Sequence, residues 1–153
     1  MEITDILQPE GVICGLKASG KKQVLQELAR QATAVTGISE KRIFETLLER
    51  ERLGTTGVGN GIAVPHGKLS EAGQLHGVFA RLEKTVDFNA IDEQPVDLVF
   101  MLLAPQAASA DHLKALARVS RVLRDASTCE KLRGAKTADG LYLLLIESEA
   151  QAV

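Results

Sequence analysis

Val96-Asp97-Leu98-Val99-Phe100-Met101-Leu102-Leu103 is an almost unbroken apolar run. A strand with one wet face alternates apolar and polar residues, so a run without alternation suits the centre of a sheet covered on both sides. The longest purely apolar stretch, Leu98 to Ala104, falls far short of the ~20 residues that span a membrane, which assigns it to a core. Val78 to Leu82 and Val12-Ile13-Cys14 read as further strands. The covering layers follow from spacing. Ser19 stands where a helix N-cap belongs, and Val24, Leu25, Leu28, Ala29, Ala32 and Val35 recur at helical intervals until Gly37. Ser39 with Glu40 starts a second helix with the stripe Ile43, Phe44, Leu47 and Leu48, ending near Arg52. After Pro105 come a stripe of Leu113, Leu116, Ala117, Ser120 and Leu123, then a capping box of Ser127 and Glu130, then Thr137 ahead of Leu141, Leu144 and Leu145. The order of strand, two helices, three strands and three helices predicts a three-layer α/β/α fold, a central mixed β-sheet flanked by helices.

The 153 residues fit one domain, and 45% apolar with 25% charged residues is ordinary for a globular chain. With four Phe, one Tyr and no Trp there is no stock of rings for stacking bases, and a net charge of −2 leaves no electrostatic footprint for nucleic acid. Cys14 and Cys129 are too few for a disulfide framework and lack the close companions of a zinc site. Met1 to Asp5 has no basic-then-apolar signal pattern. The expectation is a cytoplasmic protein with no membrane insertion and no metal.

Gly15-Leu16-Lys17-Ala18-Ser19-Gly20-Lys21-Lys22 matches a phosphate-binding loop except at its end, where Lys22 replaces the hydroxyl residue that holds magnesium. No apolar strand ends in the aspartate that would be its partner, so a polar turn explains the same residues. The stretch from Arg52 to Lys68 is richer. Glycines at 54, 57, 59, 61 and 67 surround Ile62-Ala63-Val64-Pro65-His66, leaving a histidine with restricted approach between Pro65 and Gly67. Arg52 offers a planar cationic fork, Thr55 and Thr56 offer hydroxyls, and the turn with Gly59 and Asn60 can present backbone N–H groups, together a candidate phosphate pocket. No Cys, Ser or carboxylate stands as the nucleophile of a triad.

The stretch Leu53-Gly-Thr-Thr-Gly-Val-Gly-Asn-Gly-Ile-Ala-Val-Pro-His66-Gly-Lys resembles the active-site signature of the mannitol/fructose type of enzyme IIA of the bacterial phosphotransferase system, and within it the nitrogen-regulatory branch most. Ala110-Asp111-His112-Leu113-Lys114-Ala115-Leu116 resembles the second signature of that family. Thr55 stands where Ser is commoner, and Lys68 where Arg often stands. The resemblance runs from residue 4 to 148 and implies a single enzyme IIA type-2 domain, of a fold like that of anion-transporter cytoplasmic domains. It further implies that His66 accepts a phosphoryl group on Nε2 from an HPr-like phosphohistidine protein, with Nδ1 bonded to a backbone carbonyl, and that Arg52 and His112 assist. No cofactor is implied.

His112 can also be reached from its own surroundings. Ser109 or Asp111 can cap a helix whose first turn contains it, where free N–H groups favour an anion and keep an imidazole neutral. His76 stands alone before a strand and is a bystander; Arg118, Arg121 and Arg124 read as a solvated face that could meet an acidic partner. Three functions compete at this point: a regulatory phosphocarrier whose output is phosphorylation-dependent protein binding, a sugar-transport enzyme IIA handing phosphate to an enzyme IIB cysteine, and an anion-binding module without turnover. Homodimerisation, the controlled targets and the signal that sets phosphorylation are left open.

Overall fold

A computed structural model describes residues 1 to 151. The elements are α1 (Ile3–Ile6), β1 (Leu7–Leu16), α2 (Lys21–Thr36), α3 (Glu40–Leu53), β2 (Gly57–Gly59), β3 (Ile62–Ala63), β4 (His66–Leu69), β5 (His76–Val86), β6 (Val96–Pro105), α4 (Ser109–Leu123), α5 (Ala126–Gly134) and α6 (Ala138–Gln151). The sheet runs β1-β5-β6-β3-β2, with β4 also on β6 beyond β3. It is mixed: β1 is parallel to β5, β5 antiparallel to β6, and β3 and β4 parallel to β6.

The apolar run does what its composition demands. Val99, Met101 and Leu103 of β6 face one core with Val24, Leu25, Leu28, Ile43 and Leu47 of α2 and α3. Leu98, Phe100 and Leu102 face a second core with Ala115, Val119, Leu132, Leu141 and Leu145 of α4 to α6. Successive side chains on a strand point to opposite faces, so one strand stitches two cores together.

Differences from the sequence reading lie at caps and in the glycine-rich stretch. That stretch holds three short strands, raising the total to six. Gly59 pairs with Ile62 around Asn60-Gly61, whose φ values of 58° and 79° are both left-handed. This is the two-residue hairpin turn that Asn-Gly favours. Gly20, not Ser19, caps α2, while Ser19 N–H and Oγ both donate to Gln23 Oε1 at 2.7 and 2.9 Å. Asp125, not Ser127, caps α5, its carboxylate accepting from Thr128 N–H. Ser39 and Thr137 cap as expected, through Arg42 N–H and Gly140 N–H. Leu113 is 67% exposed, because the buried side of α4 is His112, Ala115, Val119 and Val122. Arg118 leaves the solvated face to pair with Glu149 at 3.0 Å, and Glu149 also accepts from Ile3 N–H of the unanticipated α1. No described helix is long and apolar enough to cross a membrane.

Candidate functional site

His66 opens β4 in register with Leu102, and Pro65 O accepts from Leu102 N–H at 2.9 Å. Leu102 faces the α4 side of the sheet, and His66, its lateral neighbour, shares that side. Gly67 turns the other way, where a Cβ would lie 2.5 Å from Thr46 Cγ2. Any side chain there would force the Thr46 methyl aside, an overpacking that costs on the order of 1–3 kcal/mol.

The histidine lies in a cleft of ≈ 490 Å³ between α3 and α4. Thr46, Glu49, Arg50 and Leu53 line it from α3 at the spacing of one helical face, and Ser109, His112, Leu113 and Leu116 line it from the start of α4. The His66 and His112 rings meet edge to face, centroids 5.4 Å apart at 71°. His66 Nδ1 lies 2.8 Å from Val64 O. A carbonyl only accepts, so Nδ1 carries the proton and Nε2 keeps its lone pair.

Burial pushes the His66 pKa below its ordinary value, the Arg50 charge adds to that, and the Val64 hydrogen bond and Glu51 oppose it. His112 is pushed further, to about 4, by burial first and then by His66 and Lys68. It is 5% exposed, and its buried Nε2 makes no hydrogen bond to any of the described residues. Ala108, rather than Ser109 or Asp111, is the N-cap, so His112 is the fourth residue of α4 and bonds Ala108 O through its own N–H at 2.9 Å. Ser109 Oγ instead accepts from Lys68 Nζ at 2.6 Å.

These shifts set a pH dependence. An unfolded imidazole titrates near ~6.5, whereas folded His112 titrates at about 4. Between the two the unfolded chain binds more protons, so the stability from His112 is complete above about 6.5 and declines as pH falls toward 4. His112→Gln removes this titration. Urea midpoints across the window should fall less steeply with acid in the variant than in wild type; parallel profiles would contradict the buried neutral ring.

The structure brings His66 and His112 together and places the other sequence candidates elsewhere. Arg52 is exposed and does not line the cleft; Arg50 does. Two residues along an α-helix are about 200° apart around the axis, so α3 can turn only one of these arginines to the cleft. Arg50 Nη1 donates to Gly54 O at 2.9 Å. The signal for Arg50 was in the sequence: it lies three residues after core Leu47, and Thr46 four before it, on the side flanking the apolar stripe. Thr55 Oγ1 donates to Phe88 O at 2.8 Å, and Thr56 is buried against Glu51. Gly59 ends β2 and Asn60 opens the hairpin turn, where Asn60 N–H donates to Asp92, beside a separate groove of ≈ 350 Å³ against α4. Lys68, Ser109, Leu53 and Leu113 enter the site with no signal from residue type. The loop-like lysine Lys21 is paired with Glu51 at 3.1 Å. His76 faces the α2 and α3 side, opposite Leu103. Cys14 and Cys129 are free, and burial raises the Cys129 pKa. Among the described residues no group of three or more His, Cys, Asp or Glu could hold a metal ion.

An α/β/α frame with a reachable histidine at the edge of a mixed sheet, a second histidine against it and an arginine alongside has counterparts among phosphotransferase proteins. Residues 5–148 match the family described as phosphoenolpyruvate-dependent sugar phosphotransferase system, EIIA 2, and the chain belongs to that family. Within it, the similarity runs to nitrogen regulatory proteins. That of Bradyrhizobium diazoefficiens is 53% identical over 152 residues, 99% of either chain. The crystal structure of the nitrogen regulatory protein IIA-Ntr from Neisseria meningitidis superposes with a TM-score of 0.89 at 32% identity, over 94% of this chain and 98% of that one. The crystal structure of IIA mannitol from Escherichia coli gives 0.77 at 26% identity, over 90% and 97%.

Proposed function

We propose that the chain is a regulatory phosphocarrier, accepting a phosphoryl group on His66 Nε2 from an HPr-like phosphohistidine protein and controlling other proteins through phosphorylation-dependent binding. The observation that carries this reading is the His66 Nδ1 to Val64 O bond of 2.8 Å, which leaves Nε2 as the nucleophile without any proton having to move. As the Nε2–phosphorus bond forms, the donor's nitrogen–phosphorus bond breaks and its electron pair returns to the donor ring. Both sides are phosphoramidates, so catalysis reduces to alignment and to holding charge on the equatorial oxygens. Arg50, rather than Arg52, supplies the planar cation for those oxygens, and the orphaned His112 Nε2 can donate to one of them. Thr55, Thr56, Gly59 and Asn60 support the loop rather than the phosphate. Leu53, 85% exposed, and Leu113, 67% exposed, flank the cleft and offer the donor an apolar seat. Such a donor places the work in the cytoplasm.

Phosphate adds roughly −2 in charge at the centre of that seat. A target packing closely there meets a desolvated anion, and losing ~3 kcal/mol weakens binding roughly a hundredfold. Incubation with phosphoenolpyruvate, enzyme I and an HPr-like protein should add one acid-labile phosphoryl group by intact mass. Titration of a co-purifying partner against both forms should then favour the unphosphorylated one. No phosphate would leave an anion-binding module; equal affinities, with passage of phosphate to an enzyme IIB thiol, would leave the sugar-transport reading, to which the mannitol relative lends support.

A further inference from the structure

Glu51 follows Arg50 on α3 but turns into the protein, its side chain 3% exposed. Three donors converge on it. Lys21 Nζ of α2 lies 3.1 Å from Oε1, Thr56 N–H donates to Oε1 at 3.0 Å, and Thr56 Oγ donates to Oε2. Only a carboxylate presents acceptors and no donors to all three. Thr56 passes the constraint on, because its carbonyl accepts from Val64 N–H at 2.9 Å and closes the open end of the β2–β3 hairpin. Val64 O then holds His66 Nδ1. The peptide between Val64 and Pro65 has no N–H of its own, so its orientation depends on its anchors: Thr56 on one side, and Leu102 N–H on Pro65 O on the other.

We infer that Glu51 is a positioning residue for phosphoryl transfer, acting through Thr56 and Val64 to hold His66 in the Nδ1–H tautomer with Nε2 aimed into the cleft. The inference rests on the phosphocarrier reading. Lys21, in the turn that imitates a phosphate loop, supplies the counter-charge, and its ammonium also lies 5.2 Å from the Phe88 ring centroid. Because Arg50 and Glu51 are adjacent, one helix end sets both the arginine and the histidine that it serves. Such an arrangement matters for transfer because displacing a reacting ring by about 1 Å can cost on the order of a hundredfold in rate.

The test uses Glu51→Gln, with Thr56→Val as the variant that keeps the Thr56 main chain and removes only the hydroxyl. Nitrogen-15 NMR of unphosphorylated protein reads the His66 tautomer directly. Wild type should be nearly all Nδ1–H. Glu51→Gln should give a mixture of tautomers and slow phosphorylation by on the order of tenfold or more, with Thr56→Val shifted in the same direction by less. A purely structural role would lower the melting temperature and leave the tautomer unchanged. Folded variants with wild-type tautomer and transfer rate would overturn the inference, and should Glu51→Gln not fold, Thr56→Val decides alone. Failure of the wild type to accept phosphate would strike at the phosphocarrier reading instead, since the tautomer is measured without any donor.

Discussion

His66→Ala should fold and accept no phosphoryl group at all. The ring is half-buried, and its one hydrogen bond among the described residues runs to Val64, two residues away, so its loss should cost about 1 kcal/mol. Neither other histidine can take over. His112 is 5% exposed and held at about 4, and His76 faces the opposite side of the sheet. Intact mass should show no added phosphate under conditions that saturate the wild type, with a melting curve close to normal. Phosphate on His112 or His76 at the wild-type rate would remove His66 from its role.

The second large effect separates two arginines that stand two residues apart. Arg50→Ala should slow transfer by roughly 10²–10³-fold, the usual loss when one preorganised donor to developing anionic charge is removed. Arg50→Lys should recover part of this, since an ammonium keeps the charge and loses the planar fork. Arg52→Ala should leave the rate nearly unchanged, because Arg52 is exposed and outside the cleft. Single-turnover transfer from a phosphorylated donor measures all three. Equal losses from Arg50 and Arg52 would point to a long-range field around the cleft rather than to contact.

The layers were legible from the sequence because burial on both faces leaves a plain mark: Val96 to Leu103 has no polar alternation, and the α2 and α3 stripes keep helical spacing. The hairpin was legible too, in Asn60-Gly61, but the density of glycine around it invited a reading as an anion nest, and that reading drew Gly59 and Asn60 into the site. The two hydroxyls misled for a related reason. Thr55 and Thr56 stand within a dozen residues of His66 in the chain, yet their donors are consumed by Phe88 O and by Glu51, and a consumed donor looks the same in sequence as a free one. Arg52 failed on angle, since closeness in sequence to the loop says nothing of which side of α3 a residue takes. Ser19 and Ser127 failed at caps: Ser19 spends its hydroxyl as a donor to Gln23 Oε1, and Asp125, accepting from Thr128 N–H, starts α5 early enough to put Ser127 inside it.

The pairing of β4 with β6 has a consequence for the function proposed above. His66 is fastened laterally to Leu102, a fully buried residue of the strand shared by both cores, and His112 grows from a helix packed on that strand's other neighbours. Elements so embedded open only with the molecule as a whole. Under the function proposed above, a phosphoryl group on His66 would sit on a ring fastened to that strand, so the message it writes would be electrical: the outline of the molecule would stay constant and the sign of the potential at one spot would change. A receiver of that message reads charge where an allosteric receiver reads shape.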